Sequence, residues 1–252
     1  MSLHQASRIA TAALEASSRA EILHLFDDWD SGRESGNTIH WRLQAVVREA
    51  YRTSAAIARG VAQQSSDLPD WQSHEVFNTD YLQALLVDVR KNVRDYKAGN
   101  LSRDSAVLRI QHSAGVAAQR GYTDQTIASY TELQDFGFEL RKYWVANFVN
   151  NDPCPACRSL HGSWVGLHED FKAETSTGIY RDLIGPPRHP RCQCRLYVFI
   201  VSLENAFEHP NFENPQDSPQ MMSVADVQKM PESLFKSIRN SLRAVLRFLR
   251  GS

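Results

Sequence analysis

The chain has 252 residues, 42% of them hydrophobic and 23% charged, with a formal net charge of -1. That length suits one core with extensions or two modest domains, and the balanced charge excludes a strong overall field, so any nucleic-acid or membrane contact must come from a local patch. No apolar run approaches the roughly 18 residues of a bilayer span and the first residues carry no signal-peptide pattern, so a protein kept in a reducing cytoplasm is expected.

The first periodic segment places Ile9, Ala10, Ala13, Ala16, Ala20 and Leu23 on one side of a helix that runs into the turn Asp27-Asp28-Trp29-Asp30-Ser31-Gly32. Asp28, Asp30 and Gly32 resemble the start of a calcium loop, but Ile39 stands where its closing bidentate Glu belongs, which leaves a solvated turn. A second helix is predicted over about 38 to 63, with Trp41, Leu43, Val46, Val47, Ala50, Ile57, Ala58 and Val61 apolar. A third runs from about Asp80 to Lys97 on Leu82, Leu85, Leu86, Val89 and Val93, and Gly99-Asn100 stops it. A fourth covers about 103 to 119 and halts at Gly121; Thr123 or Asp124 then caps a fifth that ends near Asp135. No fixed-period self-similarity is present, so these helices read as a bundle and not as a repeat array.

Beyond Gly137 the period changes to two. Phe138, Leu140, Trp144, Ala146 and Phe148 share one parity, broken by Lys142, as in a half-buried strand. A short strand is expected at Gly162-Ser163-Trp164-Val165, and a clearer one over 194–201, rich in β-branched and aromatic residues. From about Glu204 to Met222 the composition is that of a linker. The stretch 223–252 then recovers helical periodicity, with Phe235, Ile238, Leu242, Val245, Leu246 and Leu249 apolar and Lys236, Arg239, Arg243, Arg247 and Arg250 interleaved. The expected fold is therefore α+β: a mostly helical region over 1–100, a small metal-stapled β module over 101–203, a linker over 204–222 and a basic amphipathic helix over 223–252.

All four cysteines lie between 154 and 194, a pattern that points to metal and not to disulfides in a chain this large. Cys154 and Cys157 can enter one tetrahedron from a tight turn stiffened by Pro153 and Pro155. Cys192 and Cys194 are two apart, so a strand puts both on one face, and His189 can reach the same ion from the turn before them. The expected ligands of a structural zinc ion are Cys154, Cys157, Cys192 and one of His189 or Cys194. A closed thiolate-rich shell of this kind holds structure and does no chemistry. His161 is a nearby substitute ligand, and His168, Glu169, Asp170 and Glu174 are the acid and base groups a hydrolase would need, although such charge runs usually form solvated faces.

Asp152-Pro153-Cys154-Pro155-Ala156-Cys157, Leu160-His161-Gly162 and Pro186-Pro187-Arg188-His189-Pro190-Arg191-Cys192-Gln193-Cys194, preceded by the Trp144 strand, together resemble the phage Mu F-like head morphogenesis family over roughly 105 to 200. An Arg-Thr-Glu-like signature of that family has its nearest equivalents at Arg109-Ile110-Gln111 or Tyr130-Thr131-Glu132. The resemblance implies a non-enzymatic minor capsid protein of a tailed bacteriophage. Such a protein meets portal protein, major capsid protein or scaffold in the host cytoplasm during procapsid assembly. It resides in the virion, inside the head at the portal vertex, near packaged DNA and away from membrane. The alternatives are a zinc-stabilised non-specific DNA-binding protein, touching phosphates through the basic tail, and a metal-dependent hydrolase.

Overall fold

A computed structural model describes residues 3–65, 74–134, 139–146, 153–173, 181–187, 192 and 194–201. The expected linker, the basic terminal helix, His189 and Glu174 lie outside the described residues.

Four long helices come first: α1 (Leu3–Asp30), α2 (Ile39–Ser65), α3 (Thr79–Lys97) and α4 (Arg103–Gln134). Leu14, Ile22, Leu25 and Phe26 of α1 join Leu43, Val47 and Tyr51 of α2, Leu82, Leu86 and Val89 of α3, and Ile110, Ala114 and Ala118 of α4 in one core. The buried face of α1 is not the alanine-rich one expected from the sequence. Ala13, Ala16 and Ala20 are exposed, as is Leu23, while Ala10, Thr11, Leu14, Ser18, Ile22, Leu25 and Phe26 turn inward. Large side chains gain more from leaving water than alanine does, and Thr11 satisfies its hydroxyl by donating to the Ser7 carbonyl at 2.8 Å.

The ends of α3 follow local chemistry. Asn78 caps its N-terminus by accepting the Tyr81 N–H at 3.2 Å, and Gly99, at φ 74°, closes its C-terminus by donating to the Tyr96 carbonyl at 2.9 Å. The halt expected at Gly121 does not occur, and α4 is one helix through to Gln134. Gly121 is instead the point where α4 meets the backbone of α2: a β-carbon there would stand 2.3 Å from the Tyr51 carbonyl oxygen. A glycine in a helix interior can thus mark a close crossing as well as an end. Residues of α4 share the core of α1–α3, so the four helices pack as one helical body.

The chain then forms β1 (Glu139–Val145), a one-and-a-half-turn helix α5 (Pro155–Leu160), β2 (Trp164–Gly166), β3 (Phe171–Ala173), β4 (Arg181–Leu183) and β5 (Arg195–Val201). An antiparallel sheet runs β2-β1-β5, with Tyr143 opposite Trp164 and Tyr197, and Trp144 opposite Leu196. The pair β3-β4 forms a separate hairpin that the sequence pattern does not announce. Lys142 keeps the parity of its strand after all: Leu140, Lys142, Trp144 and Ala146 are all buried. Its ammonium donates to the Ile184 carbonyl at 2.8 Å and lies 5.5 Å from the Phe171 ring centroid. Tyr130 of α4 and Ala62 of α2 pack with Leu140, Leu167 and Val198 and so seat the sheet on the helices.

Candidate metal centre

The C-terminal end of β1 gathers both halves of the cysteine motif. On one side, Trp144 accepts the Gly162 N–H at 2.9 Å and donates its own N–H to the Ser163 carbonyl at 3.0 Å, which ties the turn after α5 to the strand. On the other, β5 pairs with β1 up to Arg195, and Cys194 stands immediately before it. One strand therefore brings together two motifs nearly forty residues apart in the chain.

Within the first motif, Cys154 is the N-cap of α5, with Pro155 at the first helical position. The Cys154 Sγ accepts the Cys157 N–H at 3.4 Å, and the turn directs the Cys157 side chain inward. Cys157, Cys192 and Cys194 are each 2% exposed, and their sulfurs all lie within 4.8 Å of one another. The Cys157 and Cys192 sulfurs are 3.9 Å apart. Zinc–thiolate bonds of about 2.3 Å at tetrahedral angles put sulfurs about 3.8 Å apart, so this spacing is that of ligands sharing one ion. None of the four cysteines is in a disulfide.

Without a cation the thiols of this cluster hold their protons. The Cys157 thiol is held far above its ordinary value, first by hydrogen bonding with Cys192 and Cys194 and then by burial. For Cys194 the hydrogen bond with Cys157 favours the thiolate, as does the neighbouring Trp144 indole, but contact with Cys192 and burial outweigh them and push the thiol up to about 12. Three sulfurs in a dry pocket cannot all ionise against one another, and a divalent cation is the charge that lets them do so. The residues thus fit a metal ion. A further sign is the indole Nε1 of Trp144, a buried donor with no fully formed hydrogen bond among the described residues. Only a partner with spare acceptor capacity, such as a thiolate, satisfies it.

The expected ligands are placed as follows. Cys157, Cys192 and Cys194 converge and can hold a metal ion. Cys194 stands in this trio, where the sequence left it in competition with His189. Cys154 packs at the edge of the same cluster, half-buried, and is not one of the three. His161 is not in that group, and its Nδ1 accepts the Ala146 N–H at 3.1 Å. His168, Glu169 and Asp170 are exposed, and Glu169 accepts the Gly166 N–H at 3.0 Å across a turn.

Sequence reasoning missed the wall of the site. Leu160, Phe171 and Leu196 enclose the sulfurs with Trp144, whose ring meets Phe171 edge-on at 5.4 Å and 77°. The even parity of Trp144 and the two-residue spacing from Leu196 back to Cys194 were the available signal for its place beside the metal ligands. Among the described residues, no helix is long and apolar enough to cross a membrane. No family model, curated protein or solved structure matches the chain, so its own residues carry the functional reading.

Proposed function

We propose that the chain is a minor capsid protein of a tailed bacteriophage, of the Mu F-like head morphogenesis type, acting in procapsid assembly at the portal vertex with a structural zinc ion in its β module. The observation that carries this reading is the ordered motif from Asp152 to Cys194, whose two halves the strand Glu139–Val145 draws together. The zinc assignment rests on the donor set: soft thiolates gathered within 4.8 Å of one another suit zinc over oxygen-seeking cations. Bound zinc ties the turn at Cys157 to the chain entering β5 at Cys192 and Cys194. Cys157, Cys192 and Cys194 supply three ligands, and Cys154 or His189 supplies the fourth.

A structural role for the ion is supported by the donor set: the converging group is three buried cysteines, packed against Trp144, Leu160, Phe171 and Leu196. The test is co-sedimentation of the tagged chain with portal-bearing proheads from infected cells. Association with proheads or mature heads is expected, and absence from both overturns the assignment. DNA binding with a steep salt dependence and no prohead association favours the DNA-binding alternative instead.

A further inference from the structure

We infer that the indole N–H of Trp144 donates a hydrogen bond to the metal-bound sulfur of Cys194, which makes Trp144 a positioning residue of the metal centre. This rests on the metal reading of the cysteine cluster given above.

Trp144 is fully buried, and its Nε1 is enclosed without a fully formed hydrogen bond among the described residues. A buried donor left unmade costs as much as a lost hydrogen bond, so a tryptophan at this position needs an acceptor where a phenylalanine would not. The strand register supplies the direction. Trp144 stands opposite Leu196, so the two side chains share a face of the sheet, and Cys194, two residues earlier, continues that face. The indole packs in the same cluster as Cys157, Cys192 and Cys194. Its edge contact with Phe171 fixes the ring plane.

A thiol is a weak acceptor, whereas a thiolate is a strong one. The donor thus gains its partner when the metal turns the cysteines into thiolates. In return, an N–H aimed at a ligand sulfur orients it and disperses its charge, the usual work of groups just outside a metal's coordination shell.

The experiment uses the whole chain, 15N-labelled and loaded with zinc or with cadmium-113, together with a variant in which 3-benzothienylalanine replaces Trp144. That residue keeps the fused ring and loses only the N–H. On metal loading, the Trp144 indole proton of the unaltered chain is expected to move downfield, to become protected from exchange, and to show coupling to cadmium. The variant is expected to bind zinc about 10-fold more weakly in chelator competition. Equal zinc affinity in a folded variant, or an indole proton that does not respond to metal, overturns the inference and leaves the metal site standing. An unaltered chain that takes up neither metal overturns the metal reading itself. Should the variant not fold, the indole spectrum of the unaltered chain decides alone.

Discussion

Gly121 on α4 lies so close to the Tyr51 carbonyl on α2 that a β-carbon would stand 2.3 Å from its oxygen. Among the described residues the α2–α4 crossing is the most extensive helix contact, and its backbone approach is set at Gly121. Gly121→Ala is expected to cost on the order of 1–3 kcal/mol through forced separation of the helices. Gly115, also in α4, has open space where its β-carbon would go, and Gly115→Ala should gain roughly 1 kcal/mol of helix propensity. Urea unfolding of the two variants checks both signs; matching effects would contradict the close-crossing account.

Lys142 carries a pH signature. Burial holds its amine down at about 8 from an ordinary 10.5, with Asp170 and Glu169 opposing the shift. The stem is enclosed, while the ammonium reaches a partly buried position on the Ile184 carbonyl. Below about pH 8 the lysine is charged both folded and unfolded, and the fold bears the full desolvation cost. Between 8 and 10.5 the folded chain gives up the proton while the unfolded chain keeps it, so this group's contribution to stability rises with pH. Lys142→Met removes that dependence. The stability of the variant minus that of the unaltered chain should therefore fall as pH rises through this window. Paired denaturation midpoints measured from about pH 6 to about pH 10 test it, and a constant difference would contradict it.

These two residues also show where sequence is legible. The helices at 39–65 and 79–97 follow from apolar spacing, with Gly99 marking the end of the latter, because local physics decides them. The strands 164–166 and 195–201 and the convergence of Cys157, Cys192 and Cys194 were likewise readable from alternation and spacing. Gly121 was misread as a stop because its reason is the Tyr51 backbone, seventy residues away in the chain. Lys142 looked like an exception because nothing local announces that the Ile184 carbonyl will receive its ammonium. The three-residue strands of the β3-β4 hairpin are too short to show a period at all.

The two cysteines of the first turn should behave differently. Cys157→Ser removes one of the three converged sulfurs, so metal uptake should be lost and the β module destabilised on the order of several kcal/mol. Hydrogen exchange should then rise across 139–201 while the core of α1–α4 stays protected. Cys154→Ser keeps an oxygen able to cap α5, so that helix should persist with metal binding weakened but measurable. Equal loss in both variants would place Cys154 on the same footing as the buried trio.

The acidic last turn of α1 is occupied by partners from the protein itself. Arg103 pairs with Asp27, and with Asp30 at 2.7 Å, while the Tyr96 hydroxyl donates to Asp30 at 2.6 Å and Arg33 meets Asp28 at 2.8 Å. The hydrogen bond to Asp30 is the main reason that the Tyr96 phenol is held above its ordinary value. Because these groups are largely solvated, Arg103→Ala should cost no more than about 1 kcal/mol, and less in high salt. Added calcium should leave the thermal midpoint unchanged; a calcium-dependent rise would restore the loop reading.

The most direct test of the central claim is elemental analysis of the purified, folded chain alongside a count of reactive thiols before and after a chelator. The account predicts one zinc ion per chain, buried cysteines that resist modification until the metal is withdrawn, and loss of the β module on withdrawal. A folded chain with no stoichiometric metal, whose β module stays intact in chelator, would contradict it.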